Sequence, residues 1–308
     1  MFKLCSNAAL VFTHLVALGM QNPNSTLENM TIEQKTMIAK EIAEDFLLRN
    51  TDFLVRTGSS SHHVPDDIDR RPFIKSQIDQ GVICFYQDRA ALCAANLVII
   101  ADLIKHKEKK AIKISPKKID DNDPKMPAIT AITCSKMYGE EEDQIILGGL
   151  EGRVFVADPK TDKVKTLGSV KGRVNSIECD PKGKYIALKF ASHTNEGIVP
   201  CLALSVAYMK AAASESKLVT SKKSGSYLTA EESRKKNRRS WAPTKDEGWD
   251  YSKFVSQPCE HEVAKIWFDG EHCVTQCSYS NKIEKWMVKN PESEDAELIK
   301  VEDDPVAP

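Results

Sequence analysis

The feature that most constrains this chain is a strand, a tight turn and a returning strand that recur at a fixed interval. In residues 172–188, reading GRVNSIECDPKGKYIAL, Val174, Ser176 and Glu178 alternate with Asn175, Ile177 and Cys179, the period-two pattern of a β-strand. Asp180-Pro181-Lys182-Gly183 supplies turn chemistry, and Tyr185-Ile186-Ala187-Leu188 runs back. One such hairpin fits any antiparallel sheet. Ile132-Thr133-Cys134, however, recurs as Ile177-Glu178-Cys179 45 residues later. A period of about 40 to 45 residues is what a repeated four-stranded sheet occupies.

The flanking residues extend the pattern. Ile145-Ile146-Leu147 precedes Gly148-Gly149, Val154-Phe155-Val156 precedes Ala157-Asp158, and Thr161-Asp162-Lys163 turns into a further strand over 164–167. A third copy runs over 263–275 and on through 280–287. These segments resemble the WD-repeat family. Ala157-Asp158 stands where that family carries Trp-Asp, and Trp286 occupies its tryptophan position, with Met287 in place of the aspartate. Lys171-Gly172 stands where Gly-His is expected, and Lys285 places a charge before the tryptophan. The resemblance covers residues 128–190 and 263–287 and implies a mainly β fold: a divergent or incomplete β-propeller. It also implies a scaffold or adaptor role, by analogy of fold.

Weaker strand signals at 82–86, 90–94, 97–100 and 111–114 predict a degenerate unit before the clear one, with residues 105–110 as a solvated hairpin. About four units fit between Gly81 and Val301. Families of this kind close with more, so the circle is left incomplete, borrows strands from the amino terminus or is closed by a partner. The first 76 residues read as a helical extension and linker. Thr31, with Gln34 three residues on, opens a helix over 31–50 as a capping box, and Ile38, Ile42 and Phe46 form one stripe with Ala39 and Ala43. That stripe packs on the domain or docks a partner. Gly58 to His63 reads as a flexible linker whose paired histidines are solvated. The remaining divisions are 77–210 for propeller-like blades, 211–254 for a long polar basic insertion, 255–302 for a further blade and 303–308 for a tail.

The chain has 43 basic and 44 acidic side chains among 308 residues and a net charge of −1, so no global field attracts nucleic acid or membrane. Local charge is concentrated in Lys222, Lys223, Arg234, Lys235, Lys236, Arg238 and Arg239, the candidate basic recognition residues. They read as solvated surface, a nuclear address or a phosphate-contacting patch, with Trp241, Trp249 and Tyr251 as stacking faces for RNA and Ser240 as a phosphate acceptor.

The nine cysteines are scattered and several sit in apolar strands. Cys259, His261, His272, Cys273 and Cys277 lack paired C-x2-C spacing, so no metal is assigned. There is no nucleophile elbow, phosphate-binding glycine loop or H-E-x-x-H helix, and neither catalytic residues nor cofactors are assigned.

The leading expectation is a non-catalytic scaffold within a multiprotein complex, cytoplasmic or nuclear. A second is an RNA-associated subunit using the basic insertion. A third is a secreted, glycosylated binding protein, in which residues 1–19 act as a signal peptide and Asn24 and Asn29 carry sugars. Residues 8–18 are too short and interrupted for a membrane span.

Overall fold

The computed structural model describes residues 27–50, 71–94, 97–114, 128–140, 142–195, 197–206, 208–209, 249–250, 253–291 and 295–301. A 3-10 turn at Leu27–Asn29 leads into helix α1 (Ile32–Arg49), and α2 (Arg71–Asp79) follows. The first sheet is β1 (Val82–Tyr86), β2 (Arg89–Ala94), β3 (Leu97–Asp102) and β4 (Lys107–Lys113), paired antiparallel in chain order. The second repeats that meander with β5 (Ile129–Lys136), β6 (Asp143–Gly149), β7 (Arg153–Asp158) and β8 (Lys163–Ser169).

In the third sheet, β9 (Arg173–Cys179), β10 (Tyr185–Thr194) and β11 (Gly197–Val206) are consecutive. A two-stranded ribbon, β12 (Tyr208–Met209) with β13 (Trp249–Asp250), intervenes before β14 (Phe254–Pro258) completes that sheet beside β11. The fourth sheet is β15 (Val263–Asp269), β16 (His272–Cys277), β17 (Ile283–Lys289) and β18 (Glu297–Val301).

The sheets stack face to face because their central strands are apolar on both sides. Cys93, Val98 and Ile100 of the first sheet meet Ile145, Leu147 and Phe155 of the second. The opposite face of the second, with Ile146, Val154 and Val156, meets Ile186, Leu188 and Ala203 of the third. Ala187, Leu202 and Leu204, on the third sheet's other side, meet Ile266, Cys273 and Trp286 of the fourth. The first strands of successive sheets, β1, β5, β9 and β15, lie against one another in that order, which makes them the inner edge of a curved stack. The stack does not close into a ring.

One end of the stack is capped by helix. In α1 the expected capping box is present: the Gln34 amide donates to Thr31 Oγ1 (3.3 Å) and the Thr31 amide donates to Gln34 Oε1 (2.9 Å). The predicted stripe is buried and Leu47 extends it. Ala43, Phe46 and Leu47, with Ile74 and Ile78 of α2, cover Leu92, Leu97 and Ile99 on the outer face of the first sheet. The apolar stripe of α1 is therefore consumed in packing, and the face through which a ring would continue is occupied. Helix α2 was not anticipated; its sequence signals are Pro72 in the first turn and Ile74 and Ile78 four residues apart.

Polar ties and close approaches fix the sheets to one another. Gln87 donates to Asp143 (2.8 Å) and Lys110 pairs with Asp162 (2.8 Å) between the first and second sheets. Thr130 Oγ1 donates to the Val174 carbonyl (2.6 Å) between the second and third. Gly183 has a φ of 69°, and its carbonyl accepts from the Tyr138 amide (3.0 Å), so the β9–β10 turn sits directly on the end of β5. Asp180 holds the same turn, its carboxylate accepting from the amides of Tyr185 (2.6 Å) and Lys182 (3.1 Å). The region 105–110, expected as a solvated hairpin, is only partly one: Lys107 to Lys110 belong to β4, because they pair with Ile100 to Asp102 of β3, and Lys110 reaches Asp162 in the second sheet's β7–β8 turn.

Candidate protein-interaction surface

The fourth sheet differs from the other three in its pattern. Where β3 reads LVIIAD and β11 ends in CLALSV, β16 reads HCVTQC and β17 reads IEKWMVK. Period-two alternation sends Cys273, Thr275, Trp286 and Val288 toward the third sheet and leaves the other set on the outer face. On the inner side Trp286 Nε1 donates to Thr275 Oγ1 (2.9 Å), a buried bond between adjacent strands. The Phe268 ring lies 6.4 Å from that of Tyr185 across the interface.

On the outer side the register aligns Trp267, Val274, Lys285 and Val301 in one row across all four strands. Lys265, Gln276 and Ile283 form a second row, and Met287 pairs with Ile299 beside them. Met287 and Ile283 are exposed, and Val274 is buried beneath its neighbours. The face thus has an apolar centre of Trp267, Val274, Met287 and Ile299. Lys265 and Lys289 border it, while Lys285 rises from within it between Val274 and Val301 and reaches Asp269 (3.6 Å).

Four successive four-stranded antiparallel meanders, each packed on the next, with a tryptophan on the third strand of one bonded to a threonine on its second, decide the architecture. The fold is a divergent, open β-propeller. No protein-family model matches the chain, and no curated protein matches it in sequence. Among solved structures, the β-propeller domain of Myceliophteria thermophila Cps50 (Swd1) is similar over 70% of this chain and 56% of its own, at 10% identity and a TM-score of 0.40. Saccharomyces cerevisiae Sqt1 is similar over 71% of this chain and 48% of its own, at 9% identity and a TM-score of 0.40. A chain of a mitotic checkpoint complex is similar over 73% and 52%, at 8% identity and a TM-score of 0.39. The propeller spans about half the length of these structures.

A concavity of about 510 Å³ lies between α1 and α2, outside the blades. Thr36, Met37, Lys40, Glu44, Lys75 and Asp79 line it, and the Lys40–Asp79 ion pair (3.0 Å) bridges its two walls. It is open to solvent. Sequence reasoning missed it together with α2.

The candidate basic residues Lys222, Lys223, Arg234, Lys235, Lys236, Arg238 and Arg239 lie outside the described residues, as do Ser240, Trp241, residues 1–26 and the 58–63 linker. Asn29 is exposed at the head of α1. Cys259, Cys273 and Cys277 are buried in or beside the propeller's third and fourth blades. Among the described residues no group of three His, Cys, Asp or Glu side chains is placed to hold a metal ion, and no helix is long and apolar enough to cross a membrane. On the last two strands of the fourth blade, Glu284 of β17 accepts from Lys300 of β18 (2.6 Å) and pairs with Lys282 (3.0 Å). Partial burial pushes that carboxyl up, but hydrogen bonds from the two ammonium groups prevail and hold it below its ordinary range.

Proposed function

We propose that this chain is a non-catalytic scaffold or adaptor whose contact surface for another protein is the outer face of its fourth blade. The observation that carries this reading is the composition of that face: an apolar centre at Trp267, Val274, Met287 and Ile299 with lysines at 265, 285 and 289. A further permanent blade would call for the continuous apolar strands seen in blades one to three, because obligate interfaces resemble a core cut in half. An apolar centre within a charged border instead fits a partner that also exists free in water. With three lysines against Asp269 and Glu297, the face is positive on balance, and the partner surface carries acidic side chains around an apolar patch. The basic run between Lys222 and Arg239 is an accessory contact in this reading, and the protein acts within a multiprotein complex in cytoplasm or nucleus.

The test is a photo-crosslinking amino acid placed at Met287, compared with one at Leu150, which is exposed on a different blade. In native cells the Met287 probe is expected to yield a discrete protein adduct that Lys265→Glu with Lys289→Glu abolishes, while the Leu150 probe does not yield it. Identical adducts from both positions, or none from Met287, would overturn the assignment of this face.

A further inference from the structure

Eight of the nine cysteines lie among the described residues, and their exposure divides them into two groups. Cys93, Cys201, Cys259, Cys273 and Cys277 are buried, whereas Cys84, Cys134 and Cys179 are partly exposed. These three are also the ones on first strands: Cys84 on β1, Cys134 on β5 and Cys179 on β9. The 45-residue repeat that places Cys134 and Cys179 at equivalent positions thus sets a row of thiols along the inner edge of the stack.

Cys84 and Cys134 pack against the same apolar cluster between the first and second blades, on first strands that lie directly against each other. Cys179 packs instead against the next cluster, between the second and third blades.

We propose that Cys84 and Cys134 form an oxidation-dependent cross-link between the first and second blades, made by exchange with a small-molecule disulfide such as oxidised glutathione. One protein thiolate attacks a glutathione sulfur, the glutathione disulfide breaks, and one glutathione leaves as thiolate and takes up a proton. The second protein thiolate then attacks the protein sulfur of the mixed disulfide and releases the second glutathione. Two protein thiols are oxidised to one disulfide while one glutathione disulfide is reduced to two thiols. The cross-link ties the helix-capped first blade to the second and closes a loop from residue 84 to residue 134 in the unfolded chain, which stabilises the fold by restricting that chain. Hydrogen bonding of the protonated Cys134 thiol to Cys84, followed by burial, pushes the Cys134 thiol up, so thiolate is scarce at neutral pH and the exchange is slow and accelerates as pH rises.

The inference is independent of the docking face and is tested on the folded full-length chain. The chain is incubated with oxidised glutathione at pH 7 and pH 9, alkylated, and digested with trypsin without reduction. The expected product is a disulfide between peptides 76–89 and 126–136, formed several-fold faster at pH 9, with a higher melting temperature than the reduced protein. Cys179→Ser is expected to leave it intact, and Cys134→Ser to replace it by a glutathione adduct on Cys84. Predominant linkage of Cys134 to Cys179, or mixed disulfides that never resolve in the wild type, would overturn the proposal. The wild-type map decides this even if a variant fails to fold.

Discussion

At the scale of single residues, the contacts that hold blades together depend on close approach rather than bulk. Gly183 shows this most clearly. Its φ of 69° lies in the left-handed region, and a Cβ added there would run into the Lys136 carbonyl oxygen and the Tyr138 amide, both backbone atoms of the neighbouring blade. Gly183→Val is therefore expected to destabilise by about 1 to 3 kcal/mol from backbone strain alone, with a lowered denaturant midpoint as the readout. An unchanged midpoint would mean that the β9–β10 turn does not sit on β5. Gly148 works similarly without special backbone: its missing side chain admits Val174 of the third blade. The turn was legible because Asp-Pro-Lys-Gly carries its own local chemistry. That Gly183 also bridges two blades was not, since Lys136 is 47 positions away in sequence and nothing local encodes the contact.

At the scale of elements, period-two strands and one long amphipathic helix could be read directly, and they appear where the pattern puts them. The 45-residue recurrence and the strand signals from 82 onward place the first two sheets, the opening hairpin of the third and the first three strands of the fourth. Elements set by tertiary context were not legible. Helix α2 has nine residues, too few for periodicity to stand out, and its two buried positions, Ile74 and Ile78, gain meaning only against Leu92 and Ile99. Phe254–Pro258 follows a polar stretch and has little burial of its own; pairing with β11 makes it the last strand of the third blade. The candidate surface was hidden for a related reason. Only comparison of β16 and β17 with their counterparts in a stack shows that their alternation marks an end face.

The helical cap makes a specific prediction about cooperativity. Leu47 is completely buried between α1 and the first sheet, so Leu47→Ala is expected to cost about 2 to 5 kcal/mol. All four tryptophans lie at position 241 or beyond. If the helices and blades unfold together, tryptophan fluorescence will report the full shift from the opposite end of the molecule. A tryptophan transition unmoved by Leu47→Ala would show that the cap folds apart from the stack.

At the scale of the whole molecule, the protein is an arc with two unlike ends: helices seal the first blade, and the fourth presents an amphipathic face to water. Trp286 and Met287 are neighbours in β17 that point to opposite sides of that last blade, with exposures of 4% and 37%. Hydroxyl-radical footprinting of the monomer, read residue by residue by mass spectrometry, measures both at once. The account predicts strong oxidation of Met287 with Trp286 protected. Protection of Met287 in a verified monomer would contradict it, because the outer face would then be covered and the arc closed. Equal labelling of both residues would likewise contradict it, because the fourth blade would not be packed on the third.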